Sequence, residues 1–363
     1  MHGGTHIDVA SEEFNAQVAQ LDPLSLDVEL RDLHRMNAAA DVGALARALG
    51  DALPTQQRIA GFTLTECLAA MRDLGMYLGS LTRHDVVAFD AVPDAAGPFE
   101  LLGRRTRMVP RDTVYHYTCW NPPGGRERLY TGDPMERGLI DAVRTCVPEL
   151  ARAIEIGRAL EEADPHSAGQ AGAWASFVEC VTVVDTVMRA VLANVSHEFF
   201  ARELRPYFED VCLAGRTYMG PAAAHVPLFL IDLLLWASDG GSEEYLAFCD
   251  ELVPHTLPDW RERYGEWRER PSLVTRFTAV ALGEQPLSPE EARHVQEGTR
   301  ALGEALRALT AFRGKHLVMA RRAYQEELRV YALGSGGGST ELLDEIIALT
   351  RRTRTRIGPA AAR

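Results

Sequence analysis

The sequence has no apolar run long enough to cross a membrane as a helix. The longest, "VPLFLIDLLLWA" at 226–237, contains Asp232, and it is shorter than the roughly 20 residues that a spanning helix needs. The N-terminal stretch "MHGGTHIDVASEEF" also lacks the cationic start and apolar core of a signal peptide. We therefore expect 226–237 to form a buried helix and the protein to be cytoplasmic, without a membrane partner.

Positive charge is also scarce. Lys and Arg number 38 against 51 Asp and Glu, which gives a formal net charge of −13, and the cationic residues are scattered along the chain. Proteins that bind nucleic acid or an anionic membrane concentrate basic residues on one surface. The composition therefore excludes nucleic acid as an expected partner and leaves small molecules.

Closely spaced cysteines are absent as well. The sequence contains neither a CxxC pair nor a CxxCH haem-attachment motif. The six cysteines stand far apart, at positions 67, 119, 146, 180, 212 and 249. We expect them to be free thiols in a reducing compartment.

Strand signals are sparse, whereas helical periodicity runs through most of the chain. The pattern predicts an all-α fold, with 1–22 as a mobile N-terminus and 23–363 as a single helical domain. The segment at roughly 84–132 has no clear helical character, and so long a structureless stretch is usually functional. We expect it to contribute to the active site. Helices are predicted at 24–36, 41–52, 64–81, 136–163, 171–204, 222–238, 243–252, 258–270, 289–328 and 339–356.

The helix predicted at 289–328 has a clear start and an interrupted apolar face. Ser288 as N-cap, Pro289 and Glu291 form the pattern of a capping box. Steps of three and four residues then keep one face of the helix. The residues on that face are Leu302, Ala305, Leu309, Phe312, His316, Ala320 and Ala323. A histidine followed by two alanines on a core-facing stripe leaves room for a flat ligand.

His316 has two interpretations from spacing alone. It is either a core histidine satisfied by a hydrogen bond or a metal ligand, because neutral imidazole is the commonest protein ligand of metals. A zinc site would need a second ligand nearby, and position 320 is alanine. A single axial ligand fits haem better, since the porphyrin supplies the other four donors.

The run "ALGSGGGSTELLD" at 332–344 could be a flexible linker, a phosphate cradle or a loop that closes over a ligand. The phosphate cradle is not supported, because there is no GxxxxGK[ST] pattern and no preceding strand. A linker leaves unexplained the amphipathic stretch "TELLDEIIALT" that follows. A loop over a ligand stays possible, because glycines let backbone N–H groups approach a ligand closely.

The segment "FRGKHLVMARRAY", followed by "ALGSGGGST", resembles the C-terminal part of the monodechloroaminopyrrolnitrin synthase family. That family lies within the haem-dependent superfamily of indoleamine and tryptophan 2,3-dioxygenases. Further blocks resemble it in the same order: "AAMRDLGMYLGSLTRH" (69–84), "HYTCWNPPGGRERLYTG" (116–132) and "ELRPYFEDVCLAGRTYMGPAAAHVPLFLIDLLLWAS" (203–238). The resemblance implies a multi-helix, haem-binding bundle of the indoleamine 2,3-dioxygenase type.

The resemblance also implies roles for residues near the C-terminus. His316 corresponds to the axial ligand of the iron in a non-covalent haem b. Tyr324 and Ser335 correspond to residues that contact the substrate and take part in catalysis. Gly336 and Gly337 belong to the loop that closes over the substrate.

Two more regions are implied to form the site. Gly220, Pro221 and Ala222 match a small-residue segment that binds haem at its distal face. The chain departs from the family pattern at Ala222 and at His225, which is either a distal acid or base or, as we favour, a residue turned away from the haem.

His116 is implied to be catalytic, and Trp120 and Asn121 are implied to bind the substrate or to support the site from the segment at 84–132. A structural role for Trp120 in a hydrophobic lid fits equally well.

The expected function is haem-dependent oxidation of tryptophan or a substituted tryptophan in secondary metabolism, with a phenylpyrrole as the product that the resemblance implies. The oxidant would be O2 or peroxide, with an electron donor as a further partner. One alternative is a haem-dependent hydroxylase of a tyrosine-type amino acid. Others are a helical haem-binding protein without turnover and a helical scaffold without haem.

Overall fold

The computed structural model describes residues 6–283, 286–325 and 338–361. Side chains are described as far as Arg322 in the second range and Ile357 in the third. Ser335, Gly336 and Gly337 therefore lie outside the described residues, and of Tyr324 only the backbone is described.

The predicted all-α class is confirmed in these ranges. The helices are α1 (Glu12–Gln20), α2 (Asp27–Arg31), α3 (Leu33–Ala38), α4 (Val42–Ala52), α5 (Gln56–Gly61), α6 (Leu64–Arg83), α7 (Ala88–Ala91), α8 (Ala96–Thr106), α9 (Val114–Tyr117), α10 (Pro134–Glu162), α11 (Ala171–Asn194), α12 (Leu228–Asp232), α13 (Ser238–Gly240), α14 (Glu243–Leu252), α15 (Pro258–Arg268), α16 (Leu273–Ala281), α17 (Pro289–Gln325) and α18 (Thr340–Ala361). Within the described residues, no helix is long and apolar enough to cross a membrane.

One antiparallel hairpin was missed by the sequence analysis. Its strands are β1 (Val211–Leu213) and β2 (Arg216–Tyr218), and Val211 lies opposite Tyr218. Ala214 and Gly215 both have positive φ at the turn between the strands. Strands this short do not produce the alternating pattern by which strands are recognised in a sequence.

Four long helices build the half of the molecule that contains the cavity described below. α10 packs against α11, α11 against α17 and α17 against α18, so each of the four helices contacts the next one. α6 organises the other half, where it packs against α4 and α8. Each half has its own cluster of buried apolar side chains.

Helix α6 shows why the sequence folds locally as it does. Thr63 and Glu66 form a capping box at its N-terminus, so two otherwise unpaired N–H groups are satisfied. Nearly every residue from Thr65 to Leu81 is buried, including Arg72 and Asp73. Their charges pair within the core, where Arg72 Nε lies 2.8 Å from Asp73 Oδ1. A helix buried on all sides is typical of the centre of a large domain.

One prediction about the N-terminal third was wrong. The segment at 84–132 is not one long loop, because it contains α7, α8 and α9. Glycine and proline in "AGPFELLGRRT" obscured the helical pattern of α8, although its Phe99 and Leu102 are fully buried. The expected mobility of 1–22 stays a prediction, and the structure describes 6–22 of that stretch.

That N-terminal part is packed into the core. Ile7 and Val9 are buried there, and α1 ends with Val18 and Ala19 buried. The guanidinium of Arg72 donates hydrogen bonds to the carbonyls of Val18 (3.1 Å) and Leu21 (2.9 Å).

The capping box predicted at the start of α17 is confirmed. The N–H of Glu291 donates to Ser288 Oγ at 3.3 Å, and the N–H of Ser288 donates to Glu291 Oε2 at 2.8 Å. Two other predicted helices have different bounds. The one at 171–204 ends at Asn194 and is followed by a π-helical turn at Phe199–Leu204, and the one at 222–238 begins at Leu228.

Candidate active site

A cavity lies between α10, α11, α12, α14 and α17, with the first turns of α18 closing one side. The centre of a water molecule can occupy about 340 Å³ of it, within the range of small-molecule sites. Its lining is mostly apolar, with Val143 and Cys146 on α10 and Val184 and Met188 on α11. An apolar cavity with a few polar groups is the usual form of a cofactor or substrate site.

Helix α17 presents to this cavity the face that the sequence predicted. Phe312, His316, Met319 and Ala320 line it, at spacings that place them on one side of a helix. Further back on the same helix, Leu302, Ala305 and Leu309 are fully buried. The apolar stripe thus packs in the core for its first part and faces the cavity for its last.

The ring of His316 is exposed, and the space it faces is the cavity. Among the described residues no hydrogen-bond partner for it is found, and its closest ring contact is the stacked Phe312, with centroids 5.9 Å apart. The surrounding protein lowers the pKa of His316, and the nearby charge of Arg313 lowers it further. A neutral imidazole with an available nitrogen is what a metal requires. The alternative of a core histidine satisfied by a hydrogen bond has no support among the described residues.

The charge next to His316 is itself paired. Arg313, which also lines the cavity, forms a buried ion pair with Asp232 on α12. Asp232 also accepts hydrogen bonds from Trp236 Nε1 at 2.9 Å and from the hydroxyl of Tyr245. The buried carboxylate is therefore fully engaged, and it fixes the guanidinium beside the turn of α17 that carries His316.

The small-residue segment contributes two alanines to the cavity lining. Ala223 and Ala224 line the cavity, whereas Gly220, Pro221 and Ala222 are buried outside the lining. A Cβ atom on Gly220 would lie 1.9 Å from the carbonyl oxygen of Phe208. Glycine at 220 therefore permits a close approach of two backbone segments, and the prediction that these three residues bind the cofactor stays a prediction.

His116, Trp120 and Asn121 do not belong to the lining. His116 Nδ1 lies 2.9 Å from Thr113 Oγ1 within a capping box at the start of α9, and burial lowers the pKa of His116 to about 3. Trp120 Nε1 donates to Asn15 Oδ1 at 3.1 Å. These contacts hold His116 and Trp120 in place in the fold. The predicted roles of His116, Trp120 and Asn121 in catalysis or substrate binding stay predictions.

His225 is also outside the lining, and its predicted orientation away from the haem stays a prediction. Its buried ring stacks on that of His255, with centroids 5.1 Å apart and an interplanar angle of 10°.

The glycine run reaches the cavity at its C-terminal end. Gly338, Ser339 and Thr340 line it, and Ser339 caps α18 by accepting the N–H of Leu342 at 3.0 Å. A segment whose end forms part of a cavity wall is not a plain linker.

Two polar residues of the lining, His197 and Arg205, were not predicted as site residues. They stand on either side of a π-helical turn, Phe199–Leu204, at the end of the stretch where one continuous helix was predicted up to residue 204. Such turns are frequent at functional sites. The signal in the sequence that could have indicated these site residues is a histidine and an arginine on either side of the aromatic pair Phe199 and Phe200.

The model of the monodechloroaminopyrrolnitrin synthase family matches residues 14–362 of the chain. The chain belongs to that family. Members of the monodechloroaminopyrrolnitrin synthase family convert a chlorinated tryptophan into a phenylpyrrole during the biosynthesis of the antibiotic pyrrolnitrin. All the cavity-lining residues lie within the matched range.

Membership confirms the resemblance found in the sequence, the helical fold and the assignment as an enzyme acting on a tryptophan derivative. It does not favour the alternatives of a tyrosine hydroxylase or a protein without turnover.

Proposed function

We propose that this synthase holds haem b non-covalently in the cavity, with His316 as the axial ligand, and oxidises tryptophan or a chlorinated tryptophan beside it. The observation that carries the proposal is the imidazole of His316, which faces an apolar cavity without a hydrogen-bond partner among the described residues. No group of three His, Cys, Asp or Glu side chains in the described ranges could hold a metal ion. One axial histidine suits a cofactor that brings its own four nitrogen donors.

The shape of the lining fits a flat cofactor. Ala320 lies one turn beyond His316 on α17, and Ala223 and Ala224 belong to another wall of the same cavity. Small side chains leave space next to the imidazole, and Phe312 packs on it from the side. The ring is thereby held in place while one of its nitrogens stays available.

When bound, haem supplies the redox chemistry with O2 or peroxide, and the protein supplies binding, orientation and exclusion of water. The helices α10 and α11 provide the apolar surface against which an indole ring packs. From the family resemblance, Ser335 and Tyr324, with the backbone of Gly336 and Gly337, hold the ammonium and carboxylate of the substrate. Arg205 and His197 add polar groups to the same cavity.

The electrostatics of the site favour a neutral His316. The surrounding protein and, after it, the Arg313 cation lower its pKa, so the imidazole keeps a nitrogen lone pair at neutral pH. Asp232 compensates the charge of Arg313 within the wall. This chain therefore presents an uncharged ligand in an apolar site without leaving an unpaired buried charge.

Difference spectra test the proposed substrate. Protein loaded with haem is titrated with tryptophan, 7-chlorotryptophan and tyrosine, and the Soret band is recorded. We expect saturable shifts with the two indoles and none with tyrosine. A shift with tyrosine alone, or no haem uptake, would overturn the proposal.

A further inference from the structure

The part of the cavity wall that contains Ala223, Ala224 and Val226 belongs to a segment with little secondary structure of its own. We call Tyr218–Val226 the wall segment. It starts where β2 ends and includes only the short 3-10 turn Ala223–His225. Because few of its backbone groups pair within the segment, its position depends on hydrogen bonds to other parts of the fold.

The start of the wall segment is held by three side chains. His255 Nε2 accepts the N–H of Met219 at 3.0 Å. Asp210 Oδ1 accepts the N–H of Gly220 at 3.2 Å. Arg111 Nη1 donates to the carbonyl of Tyr218 at 3.1 Å and, at the same distance, to the carbonyl of Glu209.

The end of the wall segment is held by Tyr115. Its hydroxyl donates to the carbonyl of His225 at 2.6 Å, and both residues are buried. The ring of Tyr115 is fixed by Trp120 and Trp260, with centroid distances of 6.1 and 5.8 Å. The ring of His225 stacks on His255, so the two ends of the segment are held by neighbouring groups.

Arg111 and Tyr115 belong to the segment at 84–132, which was expected to contribute to the active site. None of its residues is in the cavity lining. The wall segment connects 84–132 to the cavity. It contacts 84–132 through these hydrogen bonds, and its Ala223, Ala224 and Val226 line the cavity.

We infer that Tyr115 and His255 are positioning residues, which hold the wall segment against the ligand in the cavity and so set the affinity for the indole substrate. The inference rests on the proposed function for its ligand, whereas the anchoring itself can be measured without any ligand.

The first test removes a single hydroxyl. Tyr115→Phe keeps the ring and loses the bond to the His225 carbonyl. The matched control is Tyr117→Phe, because the buried Tyr117 hydroxyl donates to Glu136 Oε1 at 2.7 Å away from the cavity lining. Tyr115→Phe also loses the contact of the hydroxyl with Thr256 Oγ1 at 3.2 Å, whereas Tyr117→Phe loses one hydrogen bond. Only Tyr115→Phe affects the wall segment.

Hydrogen–deuterium exchange of ligand-free protein reports the anchoring. We expect peptides that cover 219–226 to exchange faster in Tyr115→Phe than in wild type, with no change there in Tyr117→Phe. Equilibrium dialysis of haem-loaded protein with tryptophan should show an affinity weaker by about fivefold in Tyr115→Phe, the factor that corresponds to one net hydrogen bond. Tyr117→Phe should bind as wild type does.

The second test uses rescue by a conservative variant. Glutamine places an acceptor near the position of Nε2, so His255→Gln retains a partner for the N–H of Met219 and His255→Leu does not. We expect faster exchange and weaker binding in His255→Leu, and values near wild type in His255→Gln.

Unchanged exchange at 219–226 in both Tyr115→Phe and His255→Leu would overturn the inference. The inference would also be overturned if Tyr115→Phe bound tryptophan as wild type does and lost as much unfolding stability as Tyr117→Phe. That result would mean that the Tyr115 contacts only stabilise the fold. A wild type that takes up no haem would refute the proposed function alone, since exchange and dialysis with the haem-free protein would still decide the inference.

Discussion

Arg313 on α17 forms a buried ion pair with Asp232 on α12, across 81 positions of sequence. Removing one partner of a buried pair leaves an uncompensated charge, which costs about 3–5 kcal/mol. We therefore expect Asp232→Ala to lower the free energy of unfolding by about that amount in urea denaturation. The control is Asp344→Ala, which breaks an exposed pair with Arg321 and should cost less than about 1 kcal/mol. Equal effects of the two substitutions would contradict this account of the site.

Glycine at 220 is required by a close backbone approach. A Cβ there would overlap the carbonyl oxygen of Phe208, which belongs to the backbone and cannot rotate away. We expect Gly220→Ala to lower the free energy of unfolding by more than about 2 kcal/mol and to speed exchange in the wall segment. Gly303→Ala on α17 meets no atom within 4 Å and should stabilise the protein by about 0.5–1 kcal/mol. A neutral Gly220→Ala would show that the two backbones are not in contact.

Three buried histidines make stability depend on pH. Burial lowers the pKa of His116 and His225 to about 3, and that of His255 to about 4. Below the unfolded value near 6.5, the unfolded chain binds protons that the folded chain does not, so stability falls as the pH falls. Each histidine contributes about 1.4 kcal/mol per pH unit between about pH 6 and pH 5.

The variant His255→Gln isolates one of these contributions. We expect the difference in unfolding free energy between wild type and variant to shift by about 1.5 kcal/mol between pH 6.5 and pH 5, in favour of the variant at the lower pH. Urea titrations at several pH values measure it. A difference that does not change with pH would mean that the pKa of His255 is the same in the folded and the unfolded protein.

Thiol reactivity tests the placement of the six cysteines. Cys212 on β1 is exposed and the other five are buried, where burial raises the pKa of Cys146, for example, to about 12. An aromatic disulfide reagent should titrate one thiol rapidly in the native protein and all six after unfolding. Cys212→Ser should abolish the rapid phase. Rapid reaction of two or more thiols in the native protein would contradict the packing.

Features carried by local periodicity could be predicted from the sequence. The spacing of Phe312, His316 and Ala320 placed them on one face of a helix, because helical geometry depends on nearby residues alone. The cap at Ser288 is equally local. Helix α8 could not be predicted so well, since Gly97 and Pro98 interrupt a pattern that tertiary burial completes.

Long-range contacts were beyond prediction. The hydrogen bond from Tyr115 to His225 joins residues 110 positions apart, and nothing in either stretch of sequence specifies the partner. For the same reason the positions of Ala223 and Ala224 in the cavity lining could not be predicted. The turn that presents Ala223 and Ala224 to the cavity depends on anchors elsewhere in the fold, such as His255 and Asp210.

The most direct measurement compares haem binding by His316→Ala, His294→Ala and wild type. His294 lies on the same helix, where its ring contacts the carbonyl of His166 outside the cavity lining. The account predicts a Soret band in wild type and in His294→Ala. It predicts loss or displacement of that band in His316→Ala, with recovery when imidazole is added. A His316→Ala spectrum identical to that of wild type would contradict it.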